Sequence, residues 1–260
     1  MKKLQLPPPI RVRRKIPFFY DKSEQEFKQD KYENYAEVVA RQIRLHLSKD
    51  SWKVYPFQSI LDWILKEIGE SKSETIIDIG CSVGRLISEL ANYFPTAECY
   101  GIDYSYQLLR QANDYWVDGK TIELTNENRG FKKEKIIGQQ SKNLHFILAK
   151  GECLPFENES LDLVVSSFTL DRFDEPKKAL AEVFRILKKK GKVLIVSPLN
   201  FQKKEHWAQF FPIENLVKEI KEIGFSIEKV EENLLVKEPL DLYGNAIHWK
   251  CKGLILSKDS

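Results

Sequence analysis

The spacing of hydrophobic positions shifts along the 260-residue chain, and each shift predicts a different kind of element. From Ser23 to about Leu47, apolar side chains recur at helical spacing (Phe27, Tyr35, Val38, Val39, Ile43) behind the capping-box pattern Ser23-x-x-Glu26. A second helix is expected from near Pro56 through Ile60, Leu61, Ile64, Leu65 and Ile68, closing at Gly69. Beyond it, short β-branched runs alternate with amphipathic stretches. The runs predict strands at 75–79, 98–102, 144–148, 161–166 and 193–197; the stretches predict helices near 84–93, 105–117, 176–188 and 213–223. Gly224 is placed to end the last helix, and 225–236 with 247–257 read as a closing antiparallel pair.

Strands alternating with helices argue for βαβ units and a parallel sheet. Residues 118–143 break the rhythm, being polar, glycine-punctuated and long for a connection. They predict either a small hairpin, with Ile122-Glu123-Leu124 facing Ile136-Ile137, or a disordered loop. Residues 1–20 hold six Lys/Arg, no acid, and prolines at 7–9 and 17, which predicts a basic tail, extended or mobile. The expected organisation is a basic tail and N-terminal helical cap over 1–70, then one domain over 71–260 with an insertion at 118–143.

Composition narrows the class. A net charge of +3 is too small to argue for nucleic acid by itself. Cys81, Cys99, Cys153 and Cys251 lack CxxC or CxxH spacing, so neither a zinc site nor a disulfide framework is implied, and reduced thiols in a cytoplasmic protein are expected. The N-terminus has no apolar h-region, and no apolar run approaches the roughly 18 residues of a membrane span.

Chemistry concentrates where strands end. Asp78-Ile-Gly-Cys-Ser-Val-Gly84-Arg85 is a strand running into a glycine-flanked turn and then a helix. Such a turn aims free backbone N–H groups and the positive end of a helix dipole at one spot. Gly101-Ile-Asp103-Tyr104-Ser105 puts a carboxylate at the end of the next strand, 23 residues after Gly80. That offset is close to the roughly 20 residues at which an acid meets ribose hydroxyls. Gly151-Glu152-Cys153-Leu154-Pro155-Phe156 follows the third strand.

In this order and spacing the stretches resemble the class I S-adenosylmethionine-dependent methyltransferases, of the type 11-like group, over about residues 70–260. Val164-Val-Ser-Ser167-Phe168 and Leu180-Ala-Glu-Val-Phe-Arg-Ile-Leu187 leading to Gly191 complete the match. The resemblance implies a Rossmann-like α/β fold: a seven-stranded, mostly parallel sheet with an antiparallel last strand and helices on both faces. It implies S-adenosyl-L-methionine as cofactor and no metal. The Gly80–Gly84 turn would hold the methionine part, Asp103 the ribose, and the loop after Lys150, with Gly151, Glu152 and Cys153, the adenine; Asp78, Cys81, Arg85, Tyr104 and Ser167 are further expected cofactor contacts. Two positions depart from the pattern: Ser82 stands where a second glycine is common, and Lys150 where many relatives carry an aspartate. Adenine contacts then shift to the backbone of Gly151 and Glu152 or to the Glu152 side chain.

The acceptor side is less informative. Leu170-Asp171-Arg172-Phe173, the Ser197-Pro198-Leu199-Asn200-Phe201 turn and the 118–143 insertion loosely resemble the mercaptohistidine methyltransferases of ovothiol synthesis and the carnosine N-methyltransferases. The likeness implies a small-molecule or peptide acceptor with an imidazole or amine nitrogen. Asp171 is the catalytic candidate, accepting the acceptor's N–H; the competing reading is a surface acid paired with Arg172. Asn200, His206, Trp207, Tyr243 and His248 are candidates for substrate binding, and Tyr32, Tyr35 and His46 for closing the site.

Two rival patterns are present or nearly so. Gly80-Cys81-Ser82-Val83-Gly84 spells the GxSxG elbow of serine hydrolases, but a hydrolase needs several strands before its elbow. A dinucleotide enzyme wants GxGxxG, which is missing from this turn. RNA methylation would use the basic tail and Lys188–Lys190, against acids nearly as numerous as bases.

Overall fold

A computed structural model describes residues 4–69, 72–125 and 127–259. The expected boundary at 70/71 lies outside the described residues. The chain opens with strands β1 (Arg11–Arg13) and β2 (Ile16–Phe18), then helices α1 (Glu24–Gln29), α2 (Lys31–Asn34), α3 (Ala36–Leu47) and α4 (Gln58–Ile68). Next come β3 (Thr75–Ile79), α5 (Arg85–Tyr93), β4 (Glu98–Asp103), α6 (Tyr106–Trp116), β5 (Ile122–Leu124), β6 (Glu134–Ile136), β7 (Leu144–Leu148) and β8 (Leu161–Ser167). A short 3-10 turn (Leu170–Arg172) leads to α7 (Pro176–Ile186), β9 (Leu187–Ser197), α8 (Lys204–Phe210), α9 (Ile213–Ile223), β10 (Ser226–Pro239) and β11 (Ala246–Ser257).

The main sheet runs β1-β2-β7-β4-β3-β8-β9-β11-β10. From β7 to β9 every pairing is parallel, and β11 lies antiparallel between β9 and β10. That is the expected α/β architecture with two strands more than the seven foreseen, because β1 and β2 extend the edge beyond β7.

The alternation of Ile76 and Ile77 on β3 places them in different apolar clusters. One cluster takes Ile43 of α3, Ile64 of α4, Leu90 of α5 and Leu109 of α6; the other takes Val183 of α7 and Ile220 of α9. Helices thus cover both faces, which is why these strands read as continuous apolar runs.

Local differences have physical reasons. The helix foreseen over 23–47 is three helices. The capping box at Ser23 forms, with Glu26 N–H donating to Ser23 Oγ at 3.2 Å and Ser23 N–H to Glu26 Oε2 at 2.9 Å. Asp30, however, takes extended backbone and accepts Tyr32 N–H at 2.8 Å, capping a new helix and ending the first. The basic N-terminal stretch is extended, as a hairpin: Ile16 and Phe18 are fully buried and Phe18 pairs with Leu148. Within 118–143 the hairpin alternative holds, Ile122 pairing with Ile136. Lys188–Lys190 belong to a bulged start of β9 instead of a helix end, and Lys188 pairs with Asp162 at 2.8 Å. Helix α8 was not foreseen.

Candidate active site

The carboxyl ends of β3, β4 and β8 lie side by side in the sheet, the edge at which open α/β sheets take ligands. At the end of β3, Gly80 and Cys81 both donate their N–H to the Ile102 carbonyl, at 2.8 and 2.9 Å, so the turn is laced to β4. Gly80 has φ 79°, and a Cβ there would lie 2.1 Å from Thr169 Oγ1; only glycine fits. Gly84 (φ 80°) caps α5 in the left-handed region. Ser82 also takes left-handed φ, 52°, at a cost of about 1–2 kcal/mol for a residue with a Cβ. Its hydroxyl reaches the Gln42 side-chain oxygen at 3.5 Å, and no imidazole bonds to it among the described residues. Among the described residues no hydrolytic triad is built on the GxSxG pattern.

Asp103 ends β4 with each oxygen fixed: Oδ2 accepts Ser82 N–H and Oδ1 accepts Ser105 N–H, both at 2.8 Å. A carboxylate offers about four lone-pair sites, so this arrangement leaves acceptor capacity on both oxygens for a diol. Burial raises its pKa to about 6, opposed by those two N–H donors. Asp78 is 2% exposed and no hydrogen bond reaches its carboxylate among the described residues. Burial, then the Asp103 charge, raises it to about 8. A buried acid in that condition is matched by a cationic ligand, which restores its charge.

Other expected contacts are placed as follows. Cys81 is buried beside the two acids. The Arg85 guanidinium is engaged by Glu89 (2.6 Å) and the Tyr55 ring (4.8 Å). Gly151 is buried, and a Cβ there would meet Phe173 at 2.3 Å. The Glu152 side chain is committed elsewhere: Oε1 accepts Asp174 N–H at 2.9 Å and Glu175 N–H at 3.2 Å ahead of α7. Its backbone remains the available contact. Cys153 is exposed, and the Ser167 carbonyl accepts the Thr169 hydroxyl at 3.0 Å.

On the acceptor side, Asp171 is buried, so the surface-acid reading fails. Oδ1 accepts the Ser197 hydroxyl at 2.9 Å, whereas among the described residues buried Oδ2 has no hydrogen-bond donor, only the Arg172 Nε at 3.7 Å. Its charge is also felt by buried Cys251. His206 packs among Phe201 and Phe210 in the core, and Trp207 donates to the Phe201 carbonyl at 2.7 Å. Asn200 and His248 are exposed, and Tyr243 is 80% exposed at the β10–β11 tip; these are not gathered around Asp171.

The cap supplies what sequence reading saw only in outline. His46 stacks on Phe57 (5.2 Å) and accepts or donates at Nδ1 to the Tyr55 hydroxyl (2.8 Å). Phe57 packs edge-on to Phe168, and Phe168 edge-on to Trp249. Burial, then Arg85 and Arg41, lowers His46 to about 3, so it is neutral. Tyr32 lies near Asp103, while Tyr35 is exposed. Arg41 pairs with Glu238, which also takes the Trp249 N–H at 2.7 Å, tying α3 to the β10–β11 hairpin. Helical periodicity shows which cap face is buried, and nothing in it tells which strand ends that face will cover.

Residues 77–195 match the family model described as a methyltransferase domain. An uncharacterized methyltransferase of Schizosaccharomyces pombe is 30% identical over 47% of this chain and 39% of its own length. The demethylmenaquinone methyltransferase of Lactococcus lactis is 26% identical over 51% of this chain and 45% of its own. The chain thus spans less than half the length of either relative. A SAM-dependent methyltransferase structure from Aquifex aeolicus superposes with a TM-score of 0.51 at 18% identity, covering 82% of this chain and 92% of that one, which shows the fold.

Proposed function

We propose that this chain, whose residues 77–195 are a class I S-adenosylmethionine-dependent methyltransferase domain, methylates an imidazole or amine nitrogen of a small molecule or peptide. The observation that carries the reading is the pair of acids at adjacent strand ends: buried, unpartnered Asp78 and pre-oriented Asp103. Together they suit a ligand that is cationic at one end and carries a ribose beside it.

S-adenosylmethionine supplies a methyl group already activated on a sulfonium. The chain's own work is alignment, worth several kcal/mol through effective molarity. Asp78 faces the cationic methionine part, above the Gly80–Gly84 turn with Cys81 and Arg85. Asp103 takes the ribose hydroxyls, Tyr104 flanks the nucleobase, and the Gly151–Cys153 backbone closes that end, with Ser167 at the floor. His46, Tyr55, Phe57, Phe168 and Trp249 form an aromatic wall that limits water. Asp171 Oδ2, buried and lacking a donor, accepts the acceptor's N–H, which fixes an imidazole tautomer and stabilises the positive charge that develops.

Titration calorimetry with S-adenosylhomocysteine, followed by transfer of labelled methyl to histidine derivatives, amines, phenols and quinones, tests both levels. Binding with transfer to nitrogen acceptors is expected. Lack of binding removes the methyltransferase reading; transfer only to oxygen or carbon removes the nitrogen assignment. Salt-sensitive methylation of RNA would move the acceptor to nucleic acid.

A further inference from the structure

Helices α2, α3 and α6 and strand β5 line a cleft of about 540 Å³, a size that suits a small organic molecule. Its apolar lining includes Val39 and Ile43 of α3 and Ile122 and Leu124 of β5, all buried. Its polar lining is on α6, where Gln107, Arg110 and Gln111 share a face at i, i+3 and i+4. The walls are tied to one another. Arg44 of α3 pairs with Glu134 of β6 at 3.1 Å, and both side chains are buried. Glu33 of α2 accepts the Tyr106 N–H at the start of α6, at 2.7 Å. The insertion at 118–143 thus supplies, through its hairpin, one side of this cleft.

Charge narrows what the cleft can take. Each acid along it has its own cation: Glu33 lies 3.0 Å from Lys22, Asp114 2.5 Å from Lys120 and Glu123 2.9 Å from Lys135. Arg110 differs. Among the described residues its guanidinium makes no hydrogen bond, ion pair or ring contact, and its Nε is buried without an acceptor. The amides of Gln107 and Gln111 are likewise unengaged among the described residues. A half-buried positive charge beside two amides and an apolar lining is matched by one negative charge on an apolar body.

We propose that this cleft binds an amphipathic organic monoanion, a carboxylate carried on an aromatic or branched hydrocarbon body. Arg110 takes the carboxylate, because the guanidinium offers paired N–H donors in a fork that fits its two oxygens. Gln107 and Gln111 supply amide donors to the remaining lone pairs, and the apolar body lies along Ile43 and Ile122. A phosphate dianion fits less well. Its second charge would need a second cation, and Lys120 is already held by Asp114 and Asp118.

The test titrates the full chain with 2-naphthoate and with its uncharged isostere 2-naphthamide, read by ligand-observed NMR. The wild type is expected to hold the carboxylate about tenfold or more tighter than the amide, the scale of one charge-assisted hydrogen bond. Arg110→Gln should bring the two affinities to within about twofold, while Arg110→Lys keeps part of the preference. Lys120→Gln removes a cation from the same cleft that is engaged elsewhere, and should leave the ratio within about twofold of the wild type. Equal affinities in the wild type, binding of neither probe, or a preference that survives Arg110→Gln overturns the proposal. So does an equal loss of preference in Lys120→Gln, which would describe general attraction of anions. No cofactor is present in the titration, so the result stands apart from the methyltransferase reading.

Discussion

Ser82 donates its backbone N–H to the Asp103 carboxylate at 2.8 Å, which makes the turn after β3 and the end of β4 a single unit. Removing the acid therefore has two expected effects: the proposed ribose contact goes, and the left-handed turn at Ser82 loses its anchor. Asp103→Ala should weaken S-adenosylhomocysteine binding by at least about a hundredfold, in line with about 1.5–3 kcal/mol for each charge-assisted hydrogen bond. Calorimetry reads this directly, and equal affinity in mutant and wild type would remove the ribose assignment.

Asp78 links binding to pH. Burial, then the Asp103 charge, raises its pKa from 3.8 to about 8. Between those values the folded, empty site holds a proton that the unfolded chain has lost, so this group's contribution to stability falls as pH rises through that window. A cationic ligand favours the carboxylate, so binding at pH 7 should release a proton and affinity should climb with pH until about 8. Calorimetry of S-adenosylmethionine in two buffers of different ionisation enthalpy measures the release. The Asp78→Asn variant should show none, and a wild type insensitive to buffer would refute the linkage.

Asp171 is buried, its Oδ1 held by the Ser197 hydroxyl. Asp171→Asn keeps an oxygen for the Ser197 hydroxyl and removes the charge. It should leave S-adenosylhomocysteine affinity within about twofold and lower kcat by ten- to a hundredfold, the scale of one lost charge-assisted hydrogen bond. A loss in binding equal to the loss in turnover would reassign it to structure.

His46 shapes the acid limb of stability. Its pKa of about 3, set by burial and then by Arg85 and Arg41, lies below the usual 6.5. Below pH 6.5 the unfolded chain binds a proton that the folded one refuses, so stability is lost as pH falls from there towards 3. Denaturant midpoints across that range should slope less in His46→Gln than in the wild type. Parallel slopes would place the titrating group elsewhere.

Ile16 reports on the N-terminal hairpin. It is fully buried against the sheet edge, so Ile16→Ala should cost about 2–5 kcal/mol in denaturant unfolding. A change below about 0.5 kcal/mol would describe a segment that contributes nothing to the folded core.

The elements most legible beforehand were those whose own residues settle their state. Helix α9 spans Ile213–Ile223 as the periodicity foretells, because Gly224 takes φ 117° and ends it. Asp103 stands at the end of its strand because the apolar run stops there. The break at Asp30 was harder to see, since an acid serves equally in a helix's interior and at its cap until a partner N–H decides.

The linear pattern of apolar runs, small residues and acids was enough to determine a parallel α/β sheet and to place Asp78 and Asp103 near the carboxyl ends of its neighbouring strands β3 and β4, because strand period, turn chemistry and charge are properties of neighbouring residues. Which distant segment would cover those strand ends was decided by the tertiary structure alone. Phe18 pairs with Leu148, 130 residues away, and that docking carries the following segment to where Glu26 meets Lys150. An apolar face records that it must be buried and carries no record of against what, since hydrophobic attraction has no direction.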